Sequence, residues 1–247
     1  MILSSYLDST YLKTAKQANI SEKENTVLVQ KFVQETIDEK FKLVMIRPDK
    51  VALAKKLIDN QNSKVLIGTV IGFPEGTVTI EEKLQEAHQA IKDGADELDF
   101  VVNFEAFKSG EIELVKQEVF QATQLALQHN KTVKWIIEIA ALNGAQIIQL
   151  TSLIKNVVVA NFKEKEFENV FVKSSTGFYK TLDGLPNGAT FPAILAMLEN
   201  AFPLSVKASG GIKTKEEALE LIKLGVKRIG TSSAKAISED IAASGEY

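Results

Sequence analysis

Glu97-Leu-Asp-Phe-Val-Val-Asn103 has the β-branched and aromatic content of a strand, yet carries Asp99 inside its apolar run. The pattern recurs along the chain. In Lys134-Trp-Ile-Ile-Glu138, two opposite charges are expected on one face, because strand side chains alternate with period two. Lys173 follows Val170-Phe-Val, and Lys207 follows Leu204-Ser-Val. Asp8 and Thr10 close a weaker first run. Taken singly, a lysine ending a strand is a solvated edge charge and Asp8 a turn or cap residue. Five such charges at or near strand C-terminal ends form a set, and that is the face on which barrel active sites are built.

Working outward, strand-like runs fall at 5–8, 42–46, 65–71, 97–102, 133–139, 169–173, 204–208 and 226–230. Stretches with helical spacing fill the intervals at 22–39, 49–59, 79–93, 111–129, 144–161, 188–200, 214–224 and 233–242. Helix-start chemistry marks several of them. Ser21 stands three residues before Glu24, Thr79 precedes Ile80-Glu-Glu, and Thr214 stands three before Glu217. Eight β-then-α units argue for parallel strands, and the placement of the charges favours a closed (β/α)8 barrel over an open doubly wound sheet. The 247 residues suit one such domain, 1–247, with no linker or composition shift and an extra helical segment near the N-terminus. The longest candidate loop is 177–188.

Composition removes other classes. With 45% hydrophobic and 25% charged residues the chain is an ordinary globular one. A net charge of −3 gives no reason to expect nucleic acid or an anionic membrane as partner. No cysteine occurs, so disulfides, thiol nucleophiles and cysteine metal sites are excluded. The two histidines, His88 and His129, belong to helical segments and to no ligand spacing, so no metal site is expected. The start Met1-Ile-Leu-Ser-Ser-Tyr-Leu-Asp8 lacks the basic and apolar regions of a signal peptide, and no run reaches the ~20 apolar residues of a span. A cytoplasmic protein is expected.

The charges suit imine chemistry. An amine attacks a carbonyl only when neutral, and a free lysine, with a pKa of ~10.4, is almost wholly charged at pH 7. Burial and a second ammonium lower that value. Lys173 and Lys207, on successive strands, meet the requirement, and Asp99 is a candidate to shuttle the proton at the α-carbon. Spacing alone does not choose the nucleophile among Lys134, Lys173 and Lys207.

Two segments suit an anion. Ala208-Ser-Gly-Gly-Ile-Lys213 leaves the seventh strand with paired glycines, Gly210 and Gly211. Gly230-Thr-Ser-Ser233 leaves the eighth and opens a helix, whose free N–H groups favour phosphate. These are the two loops at which barrels of this kind bind phosphate. Gly72-Phe-Pro-Glu-Gly76 reads instead as a turn shaping the rim.

Leu7-Asp-Ser-Thr10, Ile71-Gly-Phe-Pro74, Gly94-Ala-Asp-Glu-Leu-Asp99, Lys108-Ser-Gly110, Val133-Lys134 with Glu138, Val172-Lys-Ser-Ser-Thr-Gly177, Val206-Lys-Ala-Ser-Gly-Gly-Ile212 and Gly230-Thr-Ser-Ser233 occur together in order and spacing. In this the chain resembles the deoxyribose-phosphate aldolase family over nearly its whole length. The resemblance implies reversible cleavage of 2-deoxy-D-ribose 5-phosphate to acetaldehyde and D-glyceraldehyde 3-phosphate, without a cofactor, in a barrel that is commonly a homodimer. It implies Lys173 as the Schiff-base lysine, Lys207 as the lysine that lowers its pKa and joins the proton relay, and Asp99 as the acid/base aspartate. Asp8, Thr10, Lys134 and Glu138 match supporting polar positions. Gly177, Gly210, Gly211, Ser232 and Ser233 match phosphate contacts. Tyr247 stands where some members carry a tyrosine on a tail that reaches the site. Ser9, Met45, Ser174 and Phe178 depart from residues frequent in the family, and none of them removes a catalytic charge.

Overall fold

Eight parallel strands close on themselves in sequence order, each hydrogen-bonded to the next and the last to the first. The structure is a computed structural model and describes residues 2–182 and 185–241. In chain order the elements are β1 (Leu7–Tyr11), α1 (Ala15–Ala18), α2 (Glu22–Asp38), β2 (Leu43–Ile46), α3 (Val51–Asn60), β3 (Leu66–Ile71), α4 (Ile80–Asp93), β4 (Glu97–Val101), α5 (Phe104–Lys108), α6 (Ile112–Gln128), β5 (Thr132–Ile136), α7 (Gly144–Asn161), β6 (Val170–Lys173), α8 (Phe191–Ala201), β7 (Ser205–Ser209), α9 (Lys215–Leu224), β8 (Arg228–Thr231) and α10 (Ala234–Glu239). This is a (β/α)8 TIM barrel.

The helix starts form as their residues dictate. Ser21, Thr79 and Thr214 each accept from the backbone N–H three residues on, and Glu24, Glu82 and Glu217 reach back to the cap amide. Two expected boundaries are corrected. The first strand begins at Leu7, not Ser5, because residues 3–6 form a 3-10 turn in which Ser5 Oγ donates to Ile2 O at 2.7 Å. Short hydroxyl side chains favour such local bonds over a ladder. That turn is the helical segment at the N-terminus. The fifth strand stops at Ile136, since Glu138 adopts a left-handed backbone (φ 52°, ψ 70°) and leads into another 3-10 turn. Two short helices, α1 and α5, fall where no helical period is long enough to read.

Burial separates two apolar clusters. The larger includes Val44, Ile46, Ile67, Ile71 and Leu98 and lies between strands and helices. The smaller joins Leu12, Leu43, Met45 and Val70. Leu43 and Met45 alternate with Val44 and Ile46, so they point inward, and the smaller cluster fills one side of the barrel interior. A Cβ on Gly68 would lie 2.5 Å from Met45 Cε, so glycine is what lets that side close.

Candidate active site

The other side of the interior is charged. Glu97 and Asp99 come from β4, Lys134 from β5, Lys173 from β6, Lys207 from β7, Arg228 from β8 and Asp8 from β1, all at least nine-tenths buried. Register explains their convergence. Asp99 lies beside Lys134, Lys173 beside Lys207, and Lys207 beside Arg228 on adjacent parallel strands, so each pair shares a face.

Arg228 donates to Asp8 Oδ1 at 2.8 Å through Nε and to Glu97 Oε1 at 2.9 Å through Nη1. Lys134 Nζ lies 2.5 Å from Glu97 Oε2 and 2.6 Å from Asp99 Oδ1. Lys207 Nζ spans Asp8 Oδ2 at 2.7 Å and Asp99 Oδ2 at 3.0 Å. Lys173 Nζ donates to that same Asp99 Oδ2 at 3.0 Å. Four cations thus meet three carboxylates, and the uncompensated charge falls on the lysine pair that shares one oxygen.

The three lysines, equivalent in the sequence, become distinct. Burial disfavours the ammonium of Lys134, but Asp99, Glu97 and Asp8 outweigh that and hold its pKa above the usual lysine value. For Lys173, burial comes first and the Lys207 charge second, and together they bring its pKa from 10.5 to about 8. Two like charges ~5 Å apart at an effective dielectric of ~20 repel by about 3 kcal/mol, enough for a drop of this order. About a tenth of Lys173 is then neutral at pH 7. Asp99, despite burial, is held well below the usual carboxylate range by Lys134, Lys207 and Lys173. Asp8 is likewise lowered against its burial by Arg228, Lys207 and Lys134.

A cavity of about 360 Å³ opens above Lys173. Thr10 and Leu12 line one wall, and Gly177, Gly210, Gly211, Ser232 and Ser233 line the other. All five positions expected to face a phosphate therefore border the space that reaches the lysine. Gly211 has a positive φ of 75°, and a Cβ there would meet nothing within 4 Å, which leaves its backbone open to a ligand. The helix that follows Ser233 has only six residues, so the loop amides rather than a long macrodipole make this wall anion-friendly.

Not every expected residue joins the network. Glu138 does not share the Lys134 cluster: past the strand end its Oε2 accepts from Thr176 N at 3.0 Å and from Thr176 Oγ1. Thr10 uses its hydroxyl on Asp8 O at 2.9 Å. Tyr247 lies outside the described residues. His88 on α4 and His129 just past the end of α6 are exposed and meet edge to face with ring centres 5.7 Å apart, and among the described residues no group of three or more His, Asp or Glu is arranged to hold a metal. Three contributors escaped the sequence reading. Glu97 and Arg228 open their strands, two residues before Asp99 and Gly230, and the period of two was the available signal. Lys213 lines the glycine wall, and nothing in the spacing distinguished it from other surface lysines.

The model of the DeoC/LacD family of aldolases matches residues 8–237. The deoxyribose-phosphate aldolase of Thermococcus kodakarensis is 37% identical over 235 residues, covering 95% of this chain and 94% of the relative. That of Streptococcus gordonii is 35% identical over 248 residues and covers 100% of both chains. Among solved structures, the tetrameric deoxyribose phosphate aldolase of Aeropyrum pernix superposes with a TM-score of 0.76 at 30% identity, covering 96% of this chain and 89% of that one. With a charged lysine cluster under an anion-suited wall and a family match over almost its full length, the chain belongs to the DeoC/LacD family of aldolases.

Proposed function

We propose that this protein is a deoxyribose-phosphate aldolase, cleaving 2-deoxy-D-ribose 5-phosphate reversibly to D-glyceraldehyde 3-phosphate and acetaldehyde through a Schiff base on Lys173. The observation that carries the reading is one amine, brought to a pKa of about 8, at the floor of a cavity whose far wall suits phosphate. Neutral Lys173 attacks C1 of the open-chain sugar and, with loss of water, becomes an iminium. Removing the proton from the C3 hydroxyl then breaks the C2–C3 bond. Its electron pair moves into the iminium to give an enamine, and glyceraldehyde 3-phosphate leaves. Protonation of the enamine carbon and hydrolysis release acetaldehyde and return the amine.

Asp99, held ionised by three ammonium groups, is a weak base by itself. Its contact with Lys207 at 3.0 Å supports a role for the two together as the proton carrier. Lys134, Asp8 and Arg228 hold that pair in place, and Thr10 and Glu138 support the mouth. Gly177, Gly210, Gly211, Ser232 and Ser233 take the phosphate, with Lys213 supplying a nearby positive charge. On this reading the chain, 1–247, is one catalytic domain that needs no cofactor. Homodimeric assembly, a cytoplasmic location and a place in deoxyribonucleoside breakdown belong to the same proposal. Among the described residues no helix is long and apolar enough to cross a membrane.

The deciding experiment is reduction with borohydride in the presence of acetaldehyde, followed by peptide mass mapping, beside an assay for acetaldehyde release from deoxyribose 5-phosphate. An ethyl group on Lys173 and release of acetaldehyde are expected. A label on Lys134 or Lys207 would overturn the assignment of roles, and no label at all would overturn the mechanism.

A further inference from the structure

A fourth buried lysine, Lys83, lies outside the barrel on α4, apart from the Lys173 network. Its Nζ donates to Gly76 O and to Val101 O, each at 2.7 Å, and pairs with Glu118 Oε1 on α6. The other oxygen of Glu118 accepts from Asn103 N at 2.9 Å, where α5 begins. The loop 72–76 between β3 and α4 is built around the lysine stem. Gly72 N donates to Glu86 Oε2 at 2.8 Å, and Gly76 N donates to Gly72 O at 2.8 Å. Both glycines have positive φ, and a Cβ on Gly72 would lie 2.7 Å from Lys83 Cε. The Gly72-Phe-Pro-Glu-Gly76 motif thus has a physical cause: it is the loop shape that lets a buried ammonium reach Gly76 O.

The residue this loop presents is Phe73. Its ring meets Phe178 edge-on at 5.1 Å, and the Arg47 guanidinium stacks over it at 4.8 Å. Arg47 Nε donates to Leu12 O at 2.7 Å, and Phe178 N donates to Thr176 Oγ1 at 3.0 Å. Leu12 and Thr176 both line the cavity above Lys173. Phe73 therefore braces two segments of the cavity wall from behind, one following β1 and one following β6.

We propose that Lys83 is a positioning residue for the aldolase reaction: by fixing the 72–76 loop it holds Phe73 against Phe178 and Leu12, and so sets the apolar side of the substrate cavity. This rests on the reading of the protein as a deoxyribose-phosphate aldolase and adds a specificity element to it. Lys83 acts on the shape of the mouth and leaves the charge on Lys173 alone.

The test compares Lys83→Met, the double variant Lys83→Met/Glu118→Gln, which leaves no unpaired buried charge, and Phe73→Leu, which leaves the ion pair intact. KM for deoxyribose 5-phosphate is expected to rise about five- to twentyfold in each, with kcat falling less than about threefold. Combining Phe73→Leu with Lys83→Met/Glu118→Gln should add little to either, because both act through the same ring. The pH midpoint of borohydride trapping at Lys173 should stay near the parent value in all of them. A parental KM in Phe73→Leu overturns the proposal, however the lysine variants fold. So do additive effects in the combined variant, or a loss of thermal stability in the double variant with KM unmoved. The parent is assayed alongside: failure to cleave deoxyribose 5-phosphate would remove the functional reading itself, whereas an active parent with unmoved variants removes only the positioning role.

Discussion

Lys83 and Lys173 are both buried lysines whose amines contact a carboxylate, and they differ in what else surrounds them. Lys83 directs its ammonium at two carbonyls and a carboxylate of its own, with Glu118 committed to it. Lys173 shares one oxygen of Asp99 with a second ammonium and opens onto a cavity. Burial pushes both amines down. Only for Lys173 does a neighbouring cation, Lys207, push further in the same direction. A buried lysine with saturated acceptors is a structural clamp, whereas one with a contested acceptor and room in front of it is available for chemistry.

Matched substitutions break the comparison most sharply. On the proposed Schiff-base mechanism, Lys173→Met should lower turnover by about four orders of magnitude or more, since no other group would replace the covalent nucleophile. It should leave the protein folded and as stable as the parent, or up to about 3 kcal/mol more so at pH 7, because Asp99 keeps Lys134 and Lys207. The sign follows from the lowered pKa. Between about 8 and 10.5 the unfolded chain binds the proton that the folded protein has released, so the parent gains stability as pH rises through that window. Lys83→Met should do the reverse. By leaving Glu118 and two carbonyls without their cation it should cost about 3–5 kcal/mol, read as a lower denaturant midpoint, while borohydride still labels Lys173.

Lys207→Met tests the contest for Asp99 directly. Without the second ammonium the Lys173 pKa climbs from about 8, so a smaller fraction is neutral at pH 7. Turnover should fall by about 10²–10³, combining that effect with loss of the proposed proton carrier. In the parent, trapping should accelerate about tenfold per pH unit up to about 8 and then level off. In the variant the bend should move to higher pH, and an unmoved bend would mean that burial and Lys134 set the amine without Lys207.

The sequence made the inner lysines legible and hid the outer one, for a physical reason. In a strand, a charge among Val, Ile and Phe breaks a short and strict alternation, so Asp99, Lys134, Lys173 and Lys207 stand out. In a helix, Lys83 sits in Ile80-Glu-Glu-Lys-Leu among other charges, and the period of 3.6 tolerates a long side chain on either face. Its burial depends on carbonyls that the fold brings in from residues 76 and 101. Strand order, the helix caps and the glycine wall were readable from local pattern. The choice among three lysines was not, because it depends on how many carboxylate oxygens each one reaches. The end of β5 differs for a similar reason: Val133–Ile139 keeps a strand-like alternation through Lys134 and Glu138 with no Gly or Pro to stop it, and only the hydrogen bonds from Thr176 account for the turn of the backbone at Glu138.

Glu138 gives the smallest expected effect and refines the contrast on the acidic side. Burial raises its pKa against the opposing hydrogen bonds from Thr176, whereas Asp99, equally hidden, is lowered because three ammonium groups face it. A carboxyl whose folded pKa is raised adds stability that is fully present below the unfolded value of 4.5 and is lost as pH rises through the folded value. Glu138→Gln keeps an acceptor for Thr176 N and removes that titration. Its Tm should therefore match the parent near pH 4 and exceed it increasingly toward neutrality, with turnover changed by less than about threefold. A Tm difference that is flat with pH would show that the Glu138 carboxyl titrates as it does in the unfolded chain. Burial and the hydrogen bonds from Thr176 would then cancel at Glu138, and the contrast with Asp99 would rest on the three ammonium groups alone.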